Sequence, residues 1–587
     1  MAGGNRTGSD SPADAGRQQR PFSWASWVSC FSWLTALVTF LAFLPALGFP
    51  FLNWDDQDVF VRNELLRARG IIPWAFTTRY MEHYQPLAWL TWSAVDRTIG
   101  LTPAAAHGLN LVLHALCAAL VCLVACRFAH ASNSGHPQNA ALAASVSALL
   151  WALHPLRVEP VMWASAMPYA LALVFGLLAT LAWLQARAAS AAILVLLSLL
   201  SRPLALTLPV VLWMIRRPVT TRERSAVLFA AASAAVAAAA ESYARLTASF
   251  DEFGLGARLT LAATAPWRYL WRAVWPVGLT PLDPLALTPR TDLLAIVLGL
   301  GGIAIASAAA WRWRRTLPVV AGAWAAYLLL LAPAMGVVPS GLQATADRYT
   351  YLPAVPLSIA VAFLLARAAR VSDTVAFSPR CLTPYCVGIA AVVTLAALTW
   401  RQTQYWRDSV TLWTHAVEVD PQNDVALYNL GATLSDAGRR DEAIARYEQV
   451  LAIVPAHDAA RRNRDLLEAA RLEDEGNGLA SRRDLAAAIS RYAEAVKLDP
   501  RRTHARAGLG VALTELGRVE EALPHLQAAL DQGAADPAVS NALAYALAQS
   551  GDEAAAITVL RAARQRYPGD VNIARNLARL EEKKGGR

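Results

Sequence analysis

The chain changes character near residue 400. Before that point long apolar runs alternate with short polar stretches rich in arginine. Beyond it, apolar positions recur at helical spacing among charges and alanines. The apolar runs fall at roughly 30–49, 104–126, 138–153, 168–186, 225–243, 291–310, 317–335, 352–368 and 384–400, most near the length a bilayer demands. A longer run, 189–215, is interrupted by "LSRPLAL". It reads as one tilted helix or as a broken pair with Ser201, Arg202 and Pro203 at the break. Residues 86–99 are apolar but carry Asp96 and Arg97, and read as a segment lying along the membrane rather than crossing it.

Basic residues orient these spans. With the arginine-bearing N-terminus in the cytoplasm and 189–215 as two short passes, Arg127, Arg187, "RRPVTTRER" (216–224), "WRWRR" (311–315), Arg367 and Arg370 all fall inside. The expectation is a polytopic bundle of about eleven passes. The odd number leaves the C-terminal part outside.

The same orientation gathers polar stretches on the outer face: "NWDDQD" (53–58), "MEHYQPL" (81–87), "HPLRVEP" (154–160), "SRP" (201–203), "APWRYLWRAVWP" (265–276) and "ATADRYTYLP" (344–353). Ionisable groups at membrane depth are costly and mark function. Asp55 and Asp56 are the candidate base. Arg202, Arg272 and Arg348 are the candidate phosphate ligands, because a guanidinium fork suits that anion. Glu82, His83, His154, Arg157, Glu159, Asp347 and Tyr349 complete a candidate substrate cleft. Blander readings stand beside these. Asp55 and Asp56 can be solvated carboxylates favouring a following helix. His154 precedes Pro155 and can simply end a helix. The tryptophans of 267–275 have the composition of an interfacial anchor.

The C-terminal part is repetitive. Leu430, Gly431, Leu434, Ala443, Tyr447 and Pro455 form one small-and-large alternation, and Gly476, Leu479, Ala488, Tyr492, Ala495 and Pro500 a second. Leu509, Gly510, Leu513, Ala522, Leu526 and Ala529 follow 34 residues later, and Leu543, Ala544, Leu547, Ala556, Leu560, Ala563 and Pro568 after another 34. That period is the tetratricopeptide one, in which small residues let two helices approach and a large one fills the gap. "DAARRNRDLLE" (458–468) puts the first two units out of phase, as a helix extension or an imperfect unit. Such an array offers a concave surface for a peptide or protein and carries no catalytic motif.

The organisation expected is a disordered cytoplasmic tail (1–25), a membrane domain (26–402) with an outer loop (49–85), a linker helix (403–423), and repeats over 424–587. The repeats fall at about 424–457, 469–502, 503–536 and 537–570. No cleavable signal is convincing, and the first run reads as an uncleaved span. The 587 residues carry a net charge of +9 and a mean hydropathy of +0.33. The arginines form no single patch, so a nucleic-acid partner is not expected. The cysteines lack zinc spacing, and Cys117, Cys122 and Cys126 read as small buried hydrophobes.

Taken in order, "NWDDQDVFVRNELLR", "HYQPLAWLTWSAVDRTIGLTPAAAHGLNLVLHAL", "ALHPLRVEPVMWAS", "SRPLALTLP", "ADRYTYLP" and "YWRDSVTLWTHAVEVDP" resemble the transmembrane and tetratricopeptide repeat proteins. These are membrane O-mannosyltransferase-like enzymes of the GT-C fold, together with their bacterial relatives. The resemblance implies an all-α fold, a GT-C-like membrane bundle followed by a repeat solenoid. It implies an integral inner-membrane or plasma-membrane protein whose repeats are periplasmic or extracellular. It also implies a polyprenyl-phosphate sugar donor, often a mannose carrier, a protein hydroxyl acceptor, and catalysis by an acidic pair in the first large outer loop. Asp55 and Asp56 match that pair, and Asp55, the first, matches the base. No cofactor is certain, and whether the pair holds a divalent metal stays open. One departure stands out. Relatives carry a basic residue and an aspartate shortly after the "HP…V..W" stretch, where this chain has Met167 and Tyr169. A non-catalytic membrane-anchored repeat scaffold is the alternative. A transporter is a third reading, although no inverted repeat is visible in the spans.

Overall fold

The computed structural model describes residues 24–81, 83–130, 137–252, 254–284, 291–336, 343–369, 379–534 and 536–585. Glu82, Arg370 and nearly all of the expected tail lie outside them. The backbone divides into two units after Asp408. Both are helical; β structure is confined to a two-stranded antiparallel pairing and one isolated bridge among the described residues.

In the first unit α1 (Trp24–Ala42) leads into the loop that carries the acidic pair. Then come α2 (Ile71–Thr77), α3 (Pro86–Ile99), α4 (Pro103–His130), α5 (Pro137–Ala152) and the short α6 (Val158–Met162). These are followed by α7 (Met167–Leu184), α8 (Ala188–Ser201), α9 (Leu208–Ile215), α10 (Thr221–Glu252) and α11 (Leu255–Val274). β1 (Asp283–Pro284) precedes α12 (Leu293–Arg312) and α13 (Pro318–Leu331). β2 (Gln343–Thr345) pairs with β1 and is followed by α14 (Ala354–Ala368) and α15 (Pro379–Tyr405).

Among the described residues five helices are long and apolar enough to cross a membrane: Pro103–His130, Ala164–Leu184, Thr221–Ala240, Leu293–Arg312 and Pro384–Tyr405. The pair Gln138–Ala152 and Pro155–Met162, bent by 63°, makes a sixth if counted as one span. Four more apolar helices are shorter: Val28–Ala42, Ala188–Ser201, Pro318–Ala334 and Ala354–Ala368. The expected count of about eleven passes is therefore not reached. An apolar run fixes composition, not helix length. The run 189–215 breaks at Arg202, and α9, with 8 residues, reaches only about 12 Å at 1.5 Å per residue.

The packing of these helices is uneven. α4 and α7 are central, whereas α12 turns Leu293, Leu294, Val297 and Leu298 outward. Apolar surface of that kind marks a contact with a membrane or with another protein. α5 buries Ala140, Ala141, Ala144 and Ala148, small residues that let neighbouring backbones come close. Hydroxyls tie the bundle together. Thr35 meets Ser145 at 2.7 Å, Ser358 donates to the Ser147 carbonyl at 2.8 Å, and Thr399 to that of Leu153 at 2.8 Å.

The second unit contains α16 (Ser409–Val419), α17 (Asp424–Asp436), α18 (Arg440–Ile453), α19 (Asp458–Ser481) and α20 (Leu485–Leu498). It continues with α21 (Thr503–Glu515), α22 (Val519–Asp531), α23 (Pro537–Gln549), α24 (Glu553–Arg566) and α25 (Val571–Gly585). A Cβ added at Gly431 would lie 2.9 Å from the Tyr447 ring, and one at Gly510 2.5 Å from Leu526. Only glycine admits these approaches. Side-chain oxygens cap the helices: Asn423 accepts from Ala426 N–H at 2.9 Å and Asp552 from Ala555 N–H at 2.9 Å. Residues 458–468 form the first turns of α19, so they extend one helix rather than build a separate unit.

Candidate functional site

The loop after α1 turns back on itself through Asp56. Its carboxylate accepts from the backbone N–H of Leu52 at 3.0 Å and from that of Ser165 at 2.9 Å, and also from the Ser165 hydroxyl. Asp56 is fully buried, and burial pushes its carboxyl up to about 6 despite these three donors. Both oxygens are committed to holding loop 52–56 against the turn that precedes α7.

Asp55 differs, although it is the adjacent residue. It is half-buried, and its carboxylate accepts from the side chain of the adjacent Trp54 rather than from the turn before α7 that Asp56 holds. Burial raises its carboxyl to about 6; the charges of Arg348 and Arg202 and a hydrogen bond from Trp54 oppose the rise, and Asp58 adds to it. A carboxylate poised there is mostly ionised at neutral pH yet basic enough to take a proton.

The arginines separate by their partners. Arg348 is buried and ion-paired to Glu159, whose second oxygen accepts from the Arg348 backbone N–H at 2.8 Å. Its guanidinium lies 5.2 Å from the centroids of both Trp163 and Tyr349. Arg272 bridges Asp283 at 3.1 Å and Asp347 at 3.3 Å. Asp283 also takes Arg268 at 3.0 Å and the Thr345 hydroxyl at 2.5 Å. Arg157 is buried, donates to the Thr350 hydroxyl at 2.5 Å, and lies against Trp151 and Tyr351. Arg202 instead donates to Gln85 at 2.9 Å, to His83 Nε2 at 3.3 Å and to the Tyr169 hydroxyl at 3.1 Å.

Asp55, Arg202 and Arg348 are thus brought within electrostatic reach of one another, with His83 beside Arg202 and Glu159 beside Arg348. Arg157, Asp347 and Arg272 belong to an adjoining network that ties β1 and β2 to α11. Tyr349 accepts from Gln343 at 2.8 Å within it. His154 uses both ring nitrogens in the fold: Nδ1 accepts from Leu156 N–H at 3.2 Å, and Nε2 donates to the Ala273 carbonyl at 2.9 Å. Glu82 lies outside the described residues. Among the described residues no three His, Cys, Asp or Glu side chains are grouped as metal ligands. Ser165, Gln85 and Asp283 escaped the sequence reading. Ser165 and Gln85 have no motif, while Asp283 could have been sought as the carboxylate facing Arg268 and Arg272.

The described geometry of the second unit meets an independent finding. Models of the tetratricopeptide repeat match residues 426–465, 473–537 and 516–571. The C-terminal unit carries tetratricopeptide repeats. No curated protein matches the chain. Solved structures similar to it include YrrB, described as a TPR protein with an unusual peptide-binding site, at 18% identity over 33% of this chain and 90% of that one, TM-score 0.19. The thermophilic TPR protein TTC0263 of Thermus thermophilus is 23% identical over 32% of this chain and 94% of its own, TM-score 0.15. The P58(IPK) TPR domain is 12% identical over 70% and 98%, TM-score 0.22. The tetratricopeptide assignment rests on the matched models and on the glycine–ring approaches.

Proposed function

We propose that this chain is a membrane glycosyltransferase. In this reading it moves a mannose-like sugar from a polyprenyl-phosphate donor to a polypeptide hydroxyl on the outer face of the membrane. The observation that supports it is Asp55: a half-buried carboxyl near 6, spared from latching, under the charges of Arg202 and Arg348. An acceptor hydroxyl is a poor nucleophile. Asp55 takes its proton as the hydroxyl oxygen bonds to the anomeric carbon. The bond from that carbon to the phosphate oxygen breaks, and the polyprenyl phosphate leaves with its charge offset by Arg202. A single displacement of this kind inverts the anomeric centre. Asp56 positions the loop, and the repeats hold the acceptor.

The test is reconstitution of the full chain in liposomes with a polyprenyl-phosphate sugar and an acceptor polypeptide. Mass gain on the acceptor is expected from the parent and not from Asp55→Asn. The tetratricopeptide match equally suits a non-catalytic scaffold, and a parent that transfers no sugar while binding a partner through its repeats would favour that reading. In the glycosyltransferase reading the repeats and loop 49–85 share the outer side of the membrane, which the arginine clusters support. Reporter fusions after Ala346 and Gly551 should then read as outside and one after Arg217 as inside. An inside signal after Gly551 would remove the repeats from the acceptor's side.

A further inference from the structure

Arg202 is distinguished by what holds it. Arg348 and Arg272 face carboxylates, and so does Arg216, 2.5 Å from Glu223. Among the described residues no carboxylate comes within ion-pair distance of Arg202. Its partners are an amide oxygen, a ring nitrogen and a phenol oxygen. Tyr169, buried at the start of α7, engages it twice: the hydroxyl accepts a hydrogen bond, and the ring lies under the guanidinium at 4.8 Å. Neutral partners fix a guanidinium without cancelling its charge. Three of its five N–H donors are engaged, which leaves two for an anion.

The same face of α7 continues into an apolar cleft. Leu173, Gly176, Leu177 and Thr180 follow Tyr169 at helical spacing and line a cavity of about 320 Å³. Leu208 and Leu352, a few residues beyond Arg202 and Arg348, line it too. Arg202, whose hydrogen-bond partners are all neutral, is held by Tyr169 one helical turn before this apolar lining begins at Leu173, an order complementary to an anion carried on a lipid.

We propose that Tyr169 is a positioning residue: it holds Arg202 through a neutral hydroxyl and ring face, and so reserves that guanidinium for the phosphate of a lipid-borne donor. This rests on the glycosyltransferase reading and deepens it. It also gives the departure at this position a use. An aspartate at 169 would pair with Arg202 and compete with the incoming phosphate, whereas tyrosine does not.

The test uses the full chain in nanodiscs, with farnesyl phosphate as probe and farnesol and inorganic phosphate as controls, followed by quenching of tryptophan fluorescence. The parent should bind farnesyl phosphate at least about tenfold more tightly than either control, as a charge-assisted contact requires. Tyr169→Asp should lose about tenfold for farnesyl phosphate and nothing for farnesol. Tyr169→Phe keeps the ring face and should lose only a few-fold. In an Arg202→Gln background, Tyr169→Asp should have little further effect, because the residue acts through Arg202. A Tyr169→Asp protein that binds farnesyl phosphate like the parent overturns the inference and leaves the donor reading standing. So does a loss that persists in full in the Arg202→Gln background. Should Tyr169→Asp fail to insert, the same cycle run with Tyr169→Phe decides. A parent indifferent between farnesyl phosphate and farnesol overturns the donor reading and the inference together. Equal binding of inorganic phosphate overturns the lipid source.

Discussion

Ser165 donates both its backbone N–H and its hydroxyl to the carboxylate of Asp56, and this joins the loop after α1 to the turn before α7. Asp55 is carried on that loop and does none of the fastening. Two adjacent aspartates therefore have separable duties.

Asp55→Asn should insert normally, melt no lower than the parent and somewhat higher at neutral pH, where it removes a buried charge, and lower sugar transfer by about 10²–10⁴-fold, the usual loss when general-base help is removed. Asp56→Asn turns an amide N–H toward a donor that now binds a carboxylate oxygen. It should cost about 1–3 kcal/mol of stability, with a smaller loss in rate. Single-turnover transfer and thermal unfolding in detergent separate the two. If Asp55→Asn lost stability and Asp56→Asn did not, the assignment would be reversed.

The pH profile follows from the sign of the shift. Burial holds the Asp55 carboxyl near 6, above its ordinary 3.8. A base acts when deprotonated, so transfer should rise with pH across about 6 and level off above about 7. Stability moves the other way. The folded chain binds more protons than the unfolded one between about 4 and 6, so Asp55 and Asp56 make stability fall as pH rises through that window. A rate that stays flat from about pH 5 to about pH 7 would exclude Asp55 as the base.

Arg348→Ala should strand Glu159 without its partner. Removing one member of a buried pair costs about 3–5 kcal/mol, so the variant should insert poorly or melt early. Arg348→Met combined with Glu159→Gln should regain much of that loss. Equal melting temperatures for Arg348→Ala and the parent would show that the pair does not hold the loop.

Arg483 has φ of +65° at a turn where Gly438, Gly517 and Gly551 stand in the neighbouring units at +73°, +77° and +91°. A side chain there is strained, and its exposed ion pair with Glu515 at 2.9 Å returns little. Arg483→Gly should stabilise the repeat unit by up to about 1 kcal/mol, read as a higher melting temperature. A clear destabilisation would show that the pair with Glu515 outweighs the backbone strain.

The repeats were legible because one contact recurs. Gly431 under Tyr447 and Gly476 under Tyr492 are the same approach, and the residues that make it keep their spacing. The bundle was legible as apolar runs but not as spans, since Arg202 and the bend after Ala152 set helix ends that hydropathy does not see. At the site the sequence offered charges without partners. Which arginine is neutralised depends on Glu159, Asp283 and Asp347 arriving from distant segments. Ser165 is an ordinary serine until Asp56 is folded onto it.

In α19 two rhythms meet. From Gly476 to Gly510 is 34 residues, and from Gly431 to Gly476 is 45, an excess of 11. Eleven residues make just over three whole α-helical turns. The insertion therefore shifts the second unit along the axis of α19 by about 16 Å while rotating it by only about 20°. Asn463, on the added turns, still reaches the hydroxyls of Tyr428 and Tyr447 at 3.3 Å. The array accepts length in whole-turn quanta. An insertion of about 9 residues at the same place would be half a turn out of step and would present the polar side of α19 to α18.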